Sequence, residues 1–166
     1  KVVFLSSTSV YGFQEEEITE ESPTLGGTSS AIQLLISEKM LLESEEFETC
    51  VIRLGGLMGP ERHPVYSLSL KNNLPNPDSP VNFIHQRDAV DIILKLIETW
   101  QPNEIYNAVT PFHPSRKNYY TEMASIANIS PPDFQPEGTV RGKISSQKVR
   151  DKIDFTFLVD NLLILN

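Results

Sequence analysis

Side chains that could do chemistry gather at the end of one apolar segment. The apolar run Val2 to Leu5 leads directly into the hydroxyl-rich run Ser6 to Ser9, and Tyr11 follows closely. A buried parallel strand delivers polar groups in this way to the carboxyl edge of a sheet, where open α/β folds bind their ligands. Ser7 and Tyr11 are therefore candidate acid/base or ligand-binding groups, although Tyr11 could instead pack beside the turn.

Histidines offer a different chemistry for the same serine. A serine hydrolase would pair Ser7 with His63, His85 or His113, and Asp88 would orient the base. Ser7 does not lie in a Gly-x-Ser-x-Gly elbow, so only a histidine within hydrogen-bond reach of it would support this alternative. The simpler interpretation of His85 is a loop histidine whose hydrogen bonds are satisfied.

Composition narrows the class of protein. The 166 residues carry a formal net charge of −8, which argues against a nucleic-acid partner because such proteins need a basic surface. The single cysteine, Cys50, lies in an apolar run and predicts a buried thiol in a reducing compartment, so we expect a cytoplasmic location. We further expect no metal-ligand cluster, no membrane span and no leader peptide among these residues.

Strands and helices alternate along the chain and predict an α/β fold with a mostly parallel sheet. Thr28 to Ser30 can cap a helix over residues 31 to about 46. Its stripe consists of Ile32, Leu35, Ile36, Lys39 and Met40, and Leu34, Leu41 and Leu42 widen the apolar face. The patterns further predict strands at 50–54, 81–85, 104–109 and 142–146, a loop at 55–60, and helices near 66–70, 87–100, 115–128 and 147–152. The helix at 87–100 carries Val90, Ile93, Leu94 and Ile97 at helical spacing.

These elements predict two unequal parts. Residues 1–110 would form the C-terminal part of a Rossmann-type doubly wound domain, with a lobe insertion at about 56–80, and residues 111–166 a small α+β substrate lobe. Only three of the predicted strands, the opening one and those at 50–54 and 104–109, are buried strands of the doubly wound type, whereas a complete fold of this kind has roughly six. In a sheet of three strands the run Val2 to Leu5 would be an exposed apolar edge. We therefore expect a longer chain, or another chain, to cover that edge.

Four motifs in order resemble the extended short-chain dehydrogenase/reductase family, in its NAD(P)-dependent epimerase/dehydratase branch. They are Phe4 to Gly12 with Glu21-Ser22-Pro23, then Arg53 to Pro60, Val81 to Asp88 and Ile105 to Val109. The resemblance implies NAD or NADP as cofactor, a sugar-nucleotide-like or other small polar substrate, and a cleft between the two lobes. It also implies that the Gly-rich phosphate-binding turn precedes Lys1, so these residues alone should not bind a dinucleotide tightly.

The resemblance assigns site residues to positions of this chain. Ser7 occupies the active Ser/Thr position, and Ser6 and Ser7 would contact the cofactor together with Gly55, Gly56 and Leu57. Arg62, His63, Asn82 and His85 would contact the substrate. The stretch from Gly59 to Pro64 also resembles an atypical, poorly characterised subfamily, and the plain alternatives are a turn at Gly55-Gly56 and a solvated loop at Arg62-His63.

The usual catalytic pair of that family is replaced. Its chemistry uses a Tyr as general acid/base and a Lys four residues later on the same helix face. Matching Glu38 to a Glu of the family helix puts Ser30 at the Tyr position and Leu34 at the Lys position. An aliphatic hydroxyl beside an apolar side chain cannot replace a phenol whose anion is stabilised by an ammonium group.

Two functions therefore stay open at this point. The protein could be an NAD(P)-binding epimerase- or dehydratase-like enzyme with altered acid/base residues, or a non-catalytic module that senses a dinucleotide or binds a protein. In either case we expect a small-molecule ligand, no nucleic acid, no membrane contact and a possible homodimer. Neither the substrate nor the choice between NAD and NADP follows from the sequence.

Overall fold

Strands and helices alternate along most of the chain in the computed structural model, which describes residues 1–60 and 62–165. Glu61, part of the Gly59 to Pro64 motif, lies outside the described residues. The elements, in chain order, are β1 (Val2–Ser7), a 3₁₀ helix (Thr8–Tyr11), α1 (Ser29–Leu42), β2 (Thr49–Leu54), β3 (Gly56–Met58), α2 (Pro64–Leu68), β4 (Phe83–His85), α3 (Gln86–Glu98), β5 (Glu104–Ala108), α4 (Arg116–Ile126) and α5 (Gln147–Ile153). The predicted α/β fold class is confirmed.

The centre of the molecule is a parallel sheet in the order β1-β2-β5. Ser7 pairs with Leu54, and Leu54 pairs with Ala108, so the three strands end level at one carboxyl edge. The central strand β2 is buried along nearly its whole length. Among the described strands β1 pairs with β2 alone, and its Leu5 side chain is 47% exposed, as expected of an apolar edge.

Helices cover both faces of this sheet. On one face Arg53 of β2 reaches Glu38 of α1, and on the other Ile52 and Leu54 pack in a core with residues of α3 and α5. Successive residues of a strand point to opposite faces, which explains how β2 serves both layers. The polar residues that follow the carboxyl ends of these strands therefore lie between the layer of α1 and the layer of α3 and α5. None of the helices in the described residues is long and apolar enough to span a membrane.

The predicted loop at 55–60 contains a strand instead. β3 pairs in parallel with β4, and the glycines permit this approach because a Cβ on Gly56 would lie 2.4 Å from the ring of Phe83. The predicted strand at 142–146 is wrong, since only Ile144 forms a bridge, to Ile18. Long-range pairing decided both cases, and local patterns do not report it.

The apolar stripes predicted for α1 and α3 are buried only in part. On α1, which ends at Leu42 rather than near Glu46, Ile32, Ile36 and Met40 are 50%, 47% and 69% exposed, whereas Leu34 and Leu35 pack against a buried core. On α3 Val90, Leu94 and Ile97 are exposed, whereas Ile93 packs against the main core. The residues of α3 that are buried in this core are Ala89, Ile92 and Leu96.

The smaller lobe has an apolar core of its own. It joins Met58 and Val65 to the tyrosines Tyr119 and Tyr120 of α4 and to Leu162. The segment that contains α5 and Phe155 packs instead against the main sheet, although it lies beyond residue 110. The two-part division at residue 110 therefore stays a proposal, with α5 packing across it.

Candidate functional site

A cavity of about 450 Å³ opens at the carboxyl end of β1, between the sheet and the smaller lobe. We call it the Ser7 cavity. Its walls come from the 3₁₀ helix, from β3 and β4, and from the lobe; the lining residues are Ser7, Thr8, Ser9, Phe13, Gly56, Asn76, Ser79, Pro80, Val81, Asn82, Phe83, Arg116, Tyr120 and Arg141. The cavity thus lies at the edge of the sheet where the sequence placed the candidate site.

Ser7 lines this cavity and also starts the turn that follows β1. Its Oγ accepts a hydrogen bond of 3.1 Å from the backbone N–H of Ser9, which caps the 3₁₀ helix. An N-cap serine keeps its hydroxyl proton available, because the cap uses only an oxygen lone pair. Ser7 can therefore still donate a hydrogen bond to a ligand in the cavity.

Ser6 and Tyr11 belong to a different environment, the buried layer between β2 and α1. The Ser6 hydroxyl donates to Glu38 at 2.5 Å, and the Tyr11 hydroxyl donates to Oδ1 of Asn107 at 2.8 Å while accepting from Arg53 at 3.0 Å. Tyr11 is fully buried, and neither residue lines the Ser7 cavity. This placement favours a packing role for Tyr11 over the acid/base role, and a structural role for Ser6 over cofactor contact.

We call these five residues, Ser6, Tyr11, Glu38, Arg53 and Asn107, the ion-pair network. Arg53 and Glu38 form a bidentate pair, with Nε to Oε1 at 3.1 Å and Nη2 to Oε2 at 2.7 Å. Burial alone would lower the pKa of Arg53, but its hydrogen bonds to Glu38 and Tyr11 outweigh burial and leave the pKa raised. Burial raises the pKa of Tyr11 against the pull of Arg53, so its hydroxyl stays protonated. The network is satisfied internally and offers no group to a ligand.

Ser30 and Leu34, the residues matched to the family's catalytic pair, lie on α1 and outside the Ser7 cavity. Ser30 is exposed in the first turn of α1, and Leu34 packs against a core that includes Val10, Val109 and Ile144. Neither residue lines the Ser7 cavity. Leu34 therefore has a packing function, and its match to the Lys position of the family stays a prediction from the resemblance.

Gly55, Gly56 and Leu57 divide between the core and the surface. Gly55 is buried, and its N–H donates to the carbonyl of Ala108 at 3.0 Å. Gly56 is exposed and lines the Ser7 cavity as well as a second cavity of about 470 Å³, which Leu57 also lines. The ring of Phe83 fills the space that a side chain on Gly56 would need, and the backbone of Gly56 itself is exposed where the linings of the two cavities share this residue.

Arg62 and His63 line the second cavity, which we call the His63 cavity. Arg62 is exposed and free to reach an anion, whereas His63 is 5% exposed and anchors the lobe. The Nδ1 of His63 accepts from the N–H of Val65 at 3.2 Å, so Nε2 carries the proton and donates to the Tyr119 hydroxyl at 3.1 Å. Burial lowers the pKa of His63, which keeps this imidazole neutral.

Asn82 and His85 hold structure rather than face open space. The Asn82 amide lies in the wall of the Ser7 cavity, where Oδ1 accepts from the N–H of Ile144 at 2.9 Å and Nδ2 donates to the carbonyl of Gly142 at 3.4 Å. His85 is 1% exposed, and its Nδ1 caps α3 by accepting from the N–H of Arg87 at 3.2 Å. His85 does not line the Ser7 cavity or the His63 cavity.

Sequence reasoning missed the two cations of the Ser7 cavity, Arg116 and Arg141. Arg141 lies 133 residues from Thr8, whose carbonyl accepts its Nη2 at 3.2 Å. Arg116 donates from Nη1 to the carbonyl of Pro75 at 2.5 Å, and its guanidinium lies over the ring of Phe134. The sequence analysis assigned neither arginine to the site, and their position in the fold places both in the lining of the cavity.

Two other chemistries lack support among the described residues. No hydrogen bond there joins the Ser7 hydroxyl to a histidine, which removes the geometric basis for a serine hydrolase. Within the same part of the chain, no group of three or more His, Cys, Asp or Glu side chains is placed to hold a metal ion.

Known proteins resemble this chain over nearly its whole length. No protein-family model matches it. Protein YeeZ of Escherichia coli K12 is 30% identical over 167 residues, which cover 99% of this chain and 61% of YeeZ. The UDP-glucuronic acid 4-epimerase of Bacillus cereus, solved with NAD, superposes with a TM-score of 0.81 at 14% identity, over 95% of this chain and 56% of the epimerase. RMD of Pseudomonas aeruginosa, solved with NADPH, gives 0.75 at 19% identity, over 92% and 59%.

These matches agree on one architecture and on one difference of length. The chain spans about three fifths of the curated relative that it matches. The resemblance drawn from the four motifs is confirmed: this chain has the Rossmann-type fold of the NAD-dependent epimerases and dehydratases among the short-chain dehydrogenase/reductases.

Proposed function

We propose that the protein to which this chain belongs binds NAD or NADP and acts on a small polar substrate of the sugar-nucleotide type, with acid/base groups other than the usual Tyr and Lys. The observation that carries the proposal is the Ser7 cavity, which lies at the carboxyl edge of the sheet in a fold whose solved neighbours hold NAD or NADPH. The bound cofactor would supply hydride transfer.

The chain's own residues fit one end of such a cofactor. Ser7 and Gly56 line the cavity, so a hydroxyl and an open stretch of backbone are available to a nicotinamide ring and to the substrate hydroxyl beside it. The described residues do not include a Gly-rich turn that opens a long helix toward a pyrophosphate. We therefore expect the phosphates to bind to other parts of the longer protein, and this chain alone to bind a dinucleotide weakly.

A non-catalytic role on the same fold is the second candidate, and one observation favours it. Leu34 packs in a core, and the Tyr11 hydroxyl is fully engaged by Arg53 and Asn107, so neither supplies a proton relay in the cavity. A protein of this kind would sense a dinucleotide or bind another protein without turnover. The homodimer expected from the sequence also stays a prediction.

Cofactor binding and turnover can be separated in one experiment on the full-length protein. NAD and NADP are added separately, with UDP-glucuronic acid as substrate probe, while melting temperature and the absorbance of reduced cofactor are followed. A raised melting temperature with turnover supports the enzyme, and a raised temperature without turnover supports the sensing role. If neither dinucleotide raises the melting temperature, the proposal is wrong.

Matched serine variants test the position of the site. Ser7→Ala removes a hydroxyl that lines the cavity, whereas Ser125→Ala removes an exposed hydroxyl on α4. We expect Ser7→Ala alone to weaken turnover or ligand binding, by roughly tenfold for one lost hydrogen bond to a ligand. If the two variants had equal turnover and equal ligand affinity, Ser7 would not contact the ligand.

A further inference from the structure

His113 is held by one ring nitrogen, and its other ring nitrogen has no partner among the described residues. Its Nδ1 lies 3.0 Å from the carbonyl oxygen of Val81, and because a carbonyl can only accept, Nδ1 carries the proton. In the neutral ring Nε2 is then a hydrogen-bond acceptor, and no hydrogen bond of the described residues uses it. His63, by contrast, uses both ring nitrogens, on Val65 and Tyr119. Nε2 of His113 is therefore available to a bound molecule.

A second polar cavity, of about 200 Å³, lies beside this ring, and we call it the His113 cavity. Its walls come from the loop after the 3₁₀ helix, from the loop after β5, and from α5 with the stretch that leads into it. The lining residues are Glu17, Pro111, His113, Lys143, Ser145, Ser146, Gln147 and Arg150. None of them lines the Ser7 cavity, so the two sites are separate.

The charged side chains of the His113 cavity leave positive charge in excess. Besides the histidine, the lining has two cations, Lys143 and Arg150, and one carboxylate, Glu17. That carboxylate is already paired, since its Oε2 lies 3.6 Å from Nζ of Lys143. The guanidinium of Arg150 makes no ion pair or hydrogen bond within the described part of the chain. The cavity therefore favours an anionic ligand, although the chain carries a net charge of −8.

The state of His113 narrows the kind of anion. Burial lowers the pKa of its ring; the bond to Val81 and the Glu17 carboxylate oppose this effect, and the ammonium group of Lys143 adds to it. Arg150 is the remaining charged residue of the lining. A neutral Nε2 accepts a hydrogen bond, so a matching ligand must present negative oxygens to the cations and a donor to the ring. Hydrogen phosphate has both, because the dianion keeps one O–H.

We propose that the His113 cavity is a separate site for hydrogen phosphate, whose oxygens pair with Lys143 and Arg150 and whose O–H donates to Nε2 of His113. The inference goes beyond the proposed function and makes no use of the Ser7 cavity. Two cations without the histidine would bind any small dianion of the same shape. The free Nε2 adds selectivity for a dianion that still carries a proton.

Calorimetric titration of the full-length protein at about pH 8 tests this inference, because phosphate is then mostly the dianion. Sulfate and methyl phosphate are the comparison ligands, since at that pH they are tetrahedral dianions without an O–H. At constant ionic strength we expect inorganic phosphate to bind about tenfold more tightly than either, the effect of one hydrogen bond. His113→Asn keeps a side-chain N–H for the carbonyl of Val81 and removes Nε2, so it should bind all three anions equally weakly.

Two arginine variants locate the binding. Arg150→Gln removes an exposed cation of the His113 cavity and should weaken phosphate binding by about tenfold. Arg87→Gln removes an exposed arginine outside both cavities and should bind like the wild type. If His113→Asn fails to fold, NMR of the histidine rings replaces it: one ring signal of the wild type must shift with phosphate more than with sulfate, and not in Arg150→Gln.

Three results would overturn the inference. They are the absence of phosphate binding, equal affinity of the wild type for phosphate and sulfate, and phosphate affinity unchanged in both His113→Asn and Arg150→Gln, as expected if the ion bound in the Ser7 cavity. Dinucleotide binding, measured on the same samples, should be equal in the wild type and His113→Asn. Phosphate binding without dinucleotide binding would contradict the proposed function alone, and the reverse would contradict this inference alone.

Discussion

Arg53, which is buried, and Arg141, which is half-buried, differ in how many hydrogen-bond partners their guanidinium groups have. Arg53 is 4% exposed and gives all three of its guanidinium nitrogens to Glu38 and the Tyr11 hydroxyl. Arg141 is half-buried, lines a cavity, and uses one nitrogen on a single carbonyl. A paired buried charge belongs to the folded scaffold, whereas an unpaired one beside open space is available to a ligand.

The same difference in charge compensation distinguishes the two regions at the end of β1, the ion-pair network and the Ser7 cavity. The ion-pair network, between β2 and α1, contains charge that is fully compensated inside the protein. The Ser7 cavity, a few residues away along β1, contains positive charge that is not. The network therefore positions the turn that begins at Ser7, and the cavity is the place where we propose that the ligand binds.

The largest effect is expected from breaking the network. Arg53→Met leaves Glu38 buried without its cation, so the free energy of unfolding of the full-length protein should fall by about 3–5 kcal/mol, measured by urea denaturation. The control is Lys39→Met, on the same helix as Glu38, which breaks the mostly exposed ion pair of Lys39 with Glu43 at 3.9 Å. It should lower the free energy of unfolding by less than about 1 kcal/mol. Similar losses in the two variants would mean that Arg53 and Glu38 are not an effective buried pair.

A second change disturbs the segment that follows Arg141 in the cavity lining, and it spares the network. A Cβ on Gly142 would lie 1.6 Å from the carbonyl oxygen of Glu16, so Gly142→Ala must push apart two backbone segments. We expect the free energy of unfolding to fall by about 1–3 kcal/mol, the usual range for overpacking. Thr121→Ala, at an exposed position on α4, is the control, and a Gly142→Ala protein as stable as that control would contradict the packing described.

A pH-dependent loss is expected from the lobe that closes the cavity. Burial lowers the pKa of His63, so its contribution to stability is complete above the unfolded-state pKa and is lost as pH falls through the folded-state pKa. Protonation would put a hydrogen on Nδ1, which now accepts from the N–H of Val65. Urea denaturation at about pH 7 and about pH 5 should show a smaller acid loss in His63→Asn than in the wild type.

His113 needs a separate control in that experiment. Its pKa is also lowered by burial, and it bonds to the carbonyl of Val81, so the wild-type slope contains both histidines. The His113→Asn variant should still show the part of the acid-induced loss of stability that is due to His63. An acid loss that is identical in the wild type and His63→Asn would show that His63 is not held neutral.

The smallest effect is expected from the unpaired arginine. Arg141→Gln gives up one hydrogen bond to the Thr8 carbonyl, and removing a buried cation without a carboxylate partner offsets part of that loss. The free energy of unfolding should therefore change by about 1 kcal/mol or less, well below the change in Arg53→Met. If the two variants were equally destabilised, Arg141 would be a structural residue like Arg53.

Local patterns predicted most elements but not the faces that they bury. Thr28 and Ser115 accept hydrogen bonds at the helix starts that their side chains predicted, and β1, β2 and β5 lie within a residue or two of the apolar runs. Of the apolar face predicted on α1, Leu34 and Leu35 pack against a core, whereas Ile32, Ile36 and Met40 are exposed, because periodicity shows that a helix has an apolar face and not how much of it is covered. Glu38, a charged residue, is buried on that helix because Arg53 pairs with it.

The site shows the same division. The hydroxyl run at the end of β1 marked the position of the cavity from sequence alone, since a parallel strand must deliver its last residues to the carboxyl edge of the sheet. The replacement of the Tyr and Lys by Ser30 and Leu34 was also drawn from the sequence, and it stays a prediction. Which hydroxyl faces the cavity could not be drawn from it, because Ser6 and Ser7 are neighbours on opposite faces of one strand.

The amino-acid order thus decided the class of fold and the strand that ends at the cavity. The tertiary structure decided that Tyr11 pairs with Arg53 and Asn107, 42 and 96 residues away, and that Arg141 lies beside Thr8. The reason is one of range. Capping, periodicity and strand patterns act over a few residues, whereas the partners of a buried charge come from distant segments that only packing brings together.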